Sequence, residues 1–274
     1  MAELTAVGST AMGAAFQRLA HLVVDGEPKI FTDSLAQGLL GLSDDDVVRA
    51  RTQFSLSTSA WVLRSRYTED QLADAASRGV SQYVILGAGL DTFAYRATGP
   101  MAAVRVFEVD TPASQSWKRS RLEEAKIAVP PTCEFVPCDF ENQSLAEVFA
   151  QSSFDGRKPV FVSWLGVTQY LNRSSIVETL RWIAGLGPAT EIVLTYCVPD
   201  AHSDPAVRFA EQTGAPFISL FATDDIVNLL RETGFAATRP LTLEEARATY
   251  FSGRTDGLDV WATERLLWAR GKPL

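Results

Sequence analysis

The spacing of apolar residues divides the chain into two parts. Up to about residue 77, apolar positions recur at helical spacing, as in 59–63 and 72–76, with short polar stretches between them. Ser43 followed by three aspartates predicts a helix start, because serine caps backbone N–H groups and acids favour the positive end of the helix dipole. From residue 82 onward, short β-branched runs alternate with segments of helical period.

The β-branched runs predict five strands, at 83–86, 104–109, 134–137, 160–164 and 192–196. Helical period is found at 174–186 and 224–233, and a last apolar run covers 265–269. Near-continuous apolar strands are typical of a sheet covered on both faces. The alternation therefore predicts a doubly wound, Rossmann-like α/β core with a parallel sheet. We expect the core to span residues 78–274 and a helical N-terminal extension to span residues 1–77.

Composition narrows the possible partners of this fold. With 274 residues, 46% of them hydrophobic, the chain can bury the core of one large α/β domain. The net charge of −8 disfavours a nucleic-acid surface. Three cysteines without a C-x-x-C pair and two distant histidines predict neither disulfides nor a metal site. Because we find no secretory leader and no run near the ~20 apolar residues that span a bilayer, we expect a cytoplasmic protein without membrane partners.

A glycine-containing turn follows the first predicted strand directly. Gly87 and Gly89, on either side of Ala88, allow a tight turn and a close approach of a ligand to the backbone. A dinucleotide fingerprint would have a third glycine where Thr92 stands, and Asp91 would repel a pyrophosphate. S-adenosylmethionine (SAM) has no phosphate and carries an ammonium group. The turn therefore favours SAM over a dinucleotide.

Acidic residues follow the next two strands. Asp110 ends the second strand and is our first choice to bond the ribose hydroxyls, and Glu108 is the second choice because strand alternation points it the same way. After the third strand, Asp139 could bond the adenine amino group while Phe140 packs on the ring. Asp139 could equally cap a helix. All these residues fall at carboxyl ends of consecutive strands, where open α/β sheets bind ligands, so they predict a nucleoside site.

Several segments resemble the bacterial branch of the leucine carboxyl methyltransferase family. They are 84–92 with Tyr95 and Arg96 behind it, 107–112, 139–140, 163–171 and 250–258. The resemblance implies a class I methyltransferase that binds SAM at the glycine turn, Asp110 and the Asp139–Phe140 pair, and releases S-adenosylhomocysteine (SAH). It also implies that an arginine in the preceding helix contacts the SAM carboxylate. Both Arg64 and Arg66 match this position, and a guanidinium suits a carboxylate because it bonds both oxygens.

The acceptor side of the predicted site is less defined. Many relatives carry a Glu before the Gly after the fourth strand, where this chain has Leu165 and Gly166. A carboxylate acceptor needs no base, whereas an alcohol or phenol would gain from one. His202, beyond the fifth strand, is the candidate base, and a solvated loop histidine is the alternative.

Three further residues could line the acceptor pocket, namely Tyr170, Tyr196 and Arg254. Trp164 lies within a predicted strand, so we expect it to pack in the core. We also expect the N-terminal helices to fold over the site as a lid, with core packing against the sheet as the alternative.

The sequence thus predicts a SAM-dependent O-methyltransferase that acts on a carboxyl or hydroxyl oxygen of a small molecule. An NAD-dependent oxidoreductase would share the fold but would need the missing third glycine. A non-catalytic SAM-binding protein is a further alternative. Methylation of a protein C-terminus, as in eukaryotic relatives, would need a docking surface that the sequence does not reveal, and no oligomeric state is predicted.

Overall fold

The computed structural model describes residues 6–53, 57–140, 142–187, 189–199, 207 and 215–272. The helices described ahead of the first strand are α1 (Ala6–Val23), α2 (Ala36–Leu40), α3 (Asp44–Gln53) and α4 (Ser59–Ser77). The predicted helix start is confirmed, because the Asp46 N–H donates to Ser43 Oγ at 3.2 Å and the Asp46 carboxylate accepts the Ser43 N–H at 2.9 Å. This reciprocal pair satisfies backbone donors that have no partner within α3.

The described strands form one seven-stranded sheet, in the order β3-β2-β1-β4-β5-β7-β6. Their bounds are β1 (Gln82–Leu86), β2 (Arg105–Asp110), β3 (Cys133–Pro137), β4 (Val160–Trp164), β5 (Glu191–Cys197), β6 (Ala237–Pro240) and β7 (Glu264–Arg270). Strands β1 to β5 are parallel, which confirms the α/β class and all five predicted strands. The last apolar run forms β7, which is antiparallel to both β5 and β6, so the sheet is mixed at this edge.

Helices connect the strands and cover the sheet. They are α5 (Phe93–Arg96), α6 (Pro112–Glu124), α7 (Leu145–Phe149), α8 (Arg173–Ala184), α9 (Thr223–Thr233) and α10 (Leu243–Tyr250). The predicted helices at 174–186 and 224–233 are confirmed by α8 and α9. Helix α8 begins where the Asn172 side chain accepts the Ser175 N–H, and α10 begins with a capping box between Thr242 and Glu245.

Two apolar cores lie on opposite faces of the sheet. In β1, Val84 and Leu86 belong to one core and Tyr83 and Ile85 to the other, as the two-residue period of a strand requires. Helix α4 packs into the second core, whereas α1, α2 and α3 share a small cluster of their own. Apolar packing on both faces therefore fixes the sheet, including its carboxyl edge. The division into residues 1–77 and 78–274 stays a prediction.

Within the described parts of the chain, no helix combines the length and apolar character needed to cross a membrane.

Candidate functional site

A cavity of about 500 Å³ opens at the carboxyl edge of the parallel strands. The register pairs Leu86 with both Val109 and Trp164, and Asp110 with Pro137, so the ends of β1 to β4 meet along one line. The residues that follow these strands form much of the cavity wall. The cavity is lined by Thr10, Ala11, Ala14, Arg18, Arg64, Ser65, 85–91, Asp110, Thr111, Ser114, Asp139, Phe140, 165–167, Tyr170, Leu171, Ala215, Pro216 and Ile218.

The predicted glycine turn forms the floor of the cavity. Gly87 and Gly89 adopt φ values of +72° and +44°, which favour glycine. A Cβ on Gly87 would lie 2.4 Å from Val167 Cγ2. The Gly87 and Ala88 N–H groups donate to the Val109 carbonyl at 2.8 and 3.0 Å, which fixes the turn to β2. A side chain at position 87 would therefore meet the opposite wall.

Asp110 joins the glycine turn to the end of β2. Its Oδ2 accepts the Gly89 N–H at 2.7 Å and its Oδ1 accepts the Thr111 N–H at 2.7 Å. The residue is 8% exposed and lines the cavity. A carboxylate has about four acceptor positions, so each oxygen can still accept a further hydrogen bond from a ligand.

Asp139 and Phe140 lie half-buried at the end of the cavity that follows β3. The Asp139 N–H donates to Gln143 Oε1 at 3.0 Å, and Asp139 Oδ2 accepts from Asn142 Nδ2 at 2.8 Å. These bonds fix the acid beside the aromatic ring. We call Gly87, Gly89, Asp110, Asp139 and Phe140 the strand-end wall.

Two arginines reach the cavity from different helices. Arg64, on α4, is one of the two predicted candidates, and its Nη1 lies 3.1 Å from Glu264 Oε1. Arg18, on α1, was not predicted; its Nε donates to Asp33 at 2.8 Å and its Nη2 to the Leu90 carbonyl at 2.6 Å. Burial of Asp33 opposes ionisation, but the Arg18 guanidinium beside it holds the pKa of that carboxyl below its usual value.

Helix α1 covers the glycine turn with a face that consists mainly of small residues. Thr10, Ala11, Ala14 and Arg18 recur at helical spacing and line the cavity. A Cβ on Gly89 would lie 3.1 Å from the Ala11 Cβ, which shows how closely the helix approaches. The helical spacing was a signal in the sequence, although only the tertiary fold shows which face meets the cavity. A lid role for this helix stays a prediction.

Loop residues form the opposite side, which we call the loop wall: Leu165, Val167, Tyr170, Leu171, Pro216 and Ile218. The Ile218 N–H donates to the Gln169 carbonyl at 2.6 Å, and Phe217 contacts the edge of Tyr170 with ring centroids 5.4 Å apart. Burial raises the pKa of Tyr170 to about 12, so its hydroxyl keeps its proton at neutral pH. The loop wall is mainly apolar.

Two predicted cofactor contacts lie away from the cavity. Glu108 is fully buried two residues before the end of β2, and its Oε2 lies 2.6 Å from Lys118 Nζ on α6. Burial raises the pKa of Glu108 although the Lys118 charge opposes this effect. Arg66 is half exposed and pairs with Asp70 at 2.9 Å, on a different face of α4 from Arg64.

The predicted acceptor residues are brought together only in part. Tyr170 lines the cavity. Tyr196 is buried in the sheet core, where its hydroxyl lies 2.8 Å from Thr223 Oγ1. Arg254 holds the carbonyls of Gly26 and Pro28, at 3.0 and 2.6 Å.

Two further sequence expectations concern single side chains. His202 lies outside the described residues. Trp164 is fully buried in the core, as expected.

The charges around the cavity suit a ligand that is cationic overall. Arg18 and Arg64 are each paired with a carboxylate of their own. Asp91, Asp110 and Asp139 add negative charge at the cavity wall. A ligand with cationic groups and one carboxylate matches this distribution.

Comparison with known proteins relates most of the chain to methyltransferases. A family model described as leucine carboxyl methyltransferase matches residues 11–184. The candidate S-adenosyl-L-methionine-dependent methyltransferase YktD of Bacillus subtilis (strain 168) is 30% identical over 248 residues, which cover 86% of this chain and 80% of YktD. A candidate enzyme of the same kind from Mycobacterium avium (strain 104) is 33% identical over 219 residues, 73% of this chain and 68% of that protein.

Solved structures show the same fold at low sequence identity. A duf574 family protein from Streptomyces avermitilis superposes with a TM-score of 0.57 at 15% identity, covering 94% of this chain and 97% of its own. A candidate methyltransferase from Thermobifida fusca gives 0.56 at 15% identity, with 92% and 97% covered. These two structures support the fold assignment alone.

Proposed function

The chain belongs to the leucine carboxyl methyltransferase family and is a SAM-dependent methyltransferase, and we propose that it transfers the methyl group to a carboxyl or hydroxyl oxygen of a small molecule. Family membership removes the basis for the NAD-dependent alternative. The observation that carries the proposal is a nucleoside-sized cavity with two different walls. The strand-end wall carries the residues that would bind the donor, and the loop wall is mainly apolar.

The strand-end wall supports the donor half of the proposal. A Cβ on Gly87 would lie 2.4 Å from Val167 Cγ2, so only glycine lets the turn lie this close to the loop wall at the cavity that both line. Asp110 would accept the ribose hydroxyls, because both of its oxygens are fixed by backbone N–H groups and retain acceptor capacity. Asp139 and Phe140 would hold the adenine.

The arginines near the cavity determine how the amino-acid end of SAM would be bound. We assign the carboxylate contact to Arg64, because Arg66 is engaged with Asp70 outside the cavity. Arg18 also lines the cavity, but two of its three guanidinium nitrogens already bond Asp33 and the Leu90 carbonyl. The Asp91 carboxylate, which lies at the glycine turn and caps α5 at the Phe93 N–H, adds negative charge near a ligand ammonium group. These residues fit SAM in charge as well as in shape.

When bound, SAM supplies a methyl group on a cationic sulfur. The contribution of the chain is to align donor and acceptor and to exclude water, because a displacement of this kind requires neither a covalent enzyme intermediate nor a metal. Helix α1 over the glycine turn supports this role by covering the donor end of the cavity.

The loop wall supports a small, partly apolar acceptor. Its side chains are mainly aliphatic, as is common in sites for small molecules. The Tyr170 hydroxyl keeps its proton, so it would donate a hydrogen bond to an acceptor oxygen rather than remove a proton from it. A carboxylate acceptor needs no such removal, whereas a hydroxyl acceptor would require a base elsewhere.

The proposal also includes a cytoplasmic location and no nucleic-acid partner. Cys133, Cys138 and Cys197 all lie in the described part of the chain and form no disulfide there, which is typical of a reducing compartment. The acidic net charge of −8 supports the absence of a nucleic-acid surface.

A turnover assay tests the proposal. The chain is incubated with SAM and a panel of matched pairs, each an apolar carboxylic acid and the corresponding alcohol or phenol, and SAH release and the methylated product are measured. We expect an ester or ether product from at least one pair. A product methylated at nitrogen, sulfur or carbon, or methylation confined to peptide C-termini, would contradict the proposal.

A further inference from the structure

Glu264 lies at the point where the C-terminal strand meets the cavity. It is the first residue of β7, and the register pairs it with Cys197 at the carboxyl end of β5. Its Oε1 and Oε2 lie 3.1 and 3.4 Å from the same atom, Arg64 Nη1. The side chains are 6% and 14% exposed, for Glu264 and Arg64, so water screens this pair weakly.

The guanidinium of Arg64 is held from a second side by backbone. A Cβ on Gly166 would lie 2.6 Å from Arg64 Nη1, so the guanidinium lies against the backbone of Gly166. The Gly166 N–H donates to Thr195 Oγ1 at 2.7 Å, which fixes that backbone to β5. The position of Arg64 therefore depends on β5 and β7 together, through Thr195 and Glu264.

The contact with Glu264 leaves most of the guanidinium available. An arginine has five N–H donors in a rigid fork, and Glu264 bonds Nη1 alone. The remaining donors can still bond a carboxylate in the cavity that Arg64 lines. A long side chain held at one end loses less rotamer freedom when it binds.

We propose that Glu264 is a positioning residue that holds the Arg64 guanidinium in place for the carboxylate of SAM. The proposal rests on the proposed role of Arg64. The alternative is that the Arg64–Glu264 pair only joins α4 to β7 and has no influence on ligand binding. Because Glu264 also cancels part of the Arg64 charge, its benefit to binding must come from geometry rather than from Coulomb attraction.

Two ligands separate these possibilities, namely SAM and decarboxylated SAM, which differ only in the carboxylate. Calorimetric titration gives the dissociation constant of each for the full chain, and the ratio of the two constants is the readout. The variants are Glu264→Ala, Glu264→Gln and Arg64→Ala. Glu191→Ala is the matched control, because Glu191 is a buried acid on the same strand pair that bonds Arg78 at the opposite end of β5.

We expect Arg64→Ala to weaken SAM about 10- to 100-fold and decarboxylated SAM less than about twofold. Glu264→Ala should weaken SAM about 3- to 10-fold and leave decarboxylated SAM unchanged within about twofold. Glu264→Gln should restore SAM binding, because its amide oxygen still accepts from Nη1 and keeps the guanidinium in place. Glu191→Ala should change neither constant.

Equal weakening of both ligands by Glu264→Ala, or no effect on either, would overturn the positioning role. If Arg64→Ala also fails to separate the two ligands, the proposed carboxylate contact fails with it. If Arg64→Ala separates them and Glu264→Ala does not, only the present inference fails. The turnover assay is independent of both outcomes.

Discussion

The two walls of the cavity are built in different ways. The strand-end wall consists of residues at or just beyond the ends of consecutive parallel strands, and the Gly89 N–H bonds Asp110, so the glycine turn is tied to the end of β2. The loop wall is assembled from the turn after β4 and from a segment near Ile218. The N–H groups of Ile218 and Ser219 both donate to the Gln169 carbonyl and join the two parts. The first wall is suited to a constant ligand, and the second can vary without disturbing the sheet. The predictions below test this contrast.

The largest effect should come from filling the strand-end wall. Gly87→Ala introduces a Cβ 2.4 Å from Val167 Cγ2 at a φ of +72°, so SAM affinity should fall at least about 100-fold. Gly79→Ala is the control, since Gly79 also has a positive φ, of +102°, but has open space around it. Calorimetric titration with SAM measures both. Equal affinities of the two variants for SAM would contradict a role of the glycine turn in SAM binding.

The next prediction separates the two acids of β2. Asp110→Asn should weaken SAM binding about 10- to 100-fold, because a neutral amide bonds ribose hydroxyls less strongly than a carboxylate. Glu108→Gln should leave SAM affinity within about twofold but lower the free energy of unfolding by about 3–5 kcal/mol, because it leaves the Lys118 charge buried without its partner. Calorimetry and denaturant unfolding measure the two quantities. A loss of SAM affinity in Glu108→Gln without loss of stability would reverse the assignment.

A smaller effect is expected at the loop wall. Ile218→Ser removes apolar surface at a residue that is 62% exposed and still lines the cavity. KM for an acceptor from the panel should rise about 3- to 10-fold, since part of one apolar contact is lost, while the SAM dissociation constant stays the same. Val129→Ser, at an exposed valine outside the cavity lining, is the control. If Ile218→Ser weakens SAM binding by the same factor by which it raises KM for the acceptor, the two walls are not independent.

The smallest effect concerns pH. Because burial raises the pKa of Tyr170 to about 12, its hydroxyl stays protonated throughout an assay range of about pH 6–9. Tyr170→Phe should therefore lower kcat/KM a few-fold through one lost hydrogen bond and leave the shape of its pH profile unchanged. If a limb of the wild-type profile disappears in Tyr170→Phe, Tyr170 titrates within that range and its assigned environment is wrong.

The contrast between the walls also explains which features the sequence could predict. The five parallel strands and the glycine turn are encoded locally, by apolar runs and by residues that directly follow them. Strand β6 has no apolar run, and its existence depends on pairing with β7. Likewise, Ile218 reaches the cavity only through its tertiary contact with Gln169.

Charged residues show the same limit. Strand alternation alone could not separate Asp110 from Glu108, since both point to one face and only the position of Lys118 on α6 decides between them. The sequence left Arg64 and Arg66 as equal candidates, and only the packing of α4 shows that Arg64 lines the cavity. The helical spacing of Arg18 does not indicate its role, which follows from the docking of α1.

The central claim is that the strand-end wall holds SAM through Asp110. A crystal structure of the chain with SAH tests it most directly. The account predicts both ribose hydroxyls within about 2.5–3.2 Å of the Asp110 carboxylate oxygens, with the adenine beside Phe140. A ribose bonded by other residues, or SAH bound outside this cavity, would contradict it.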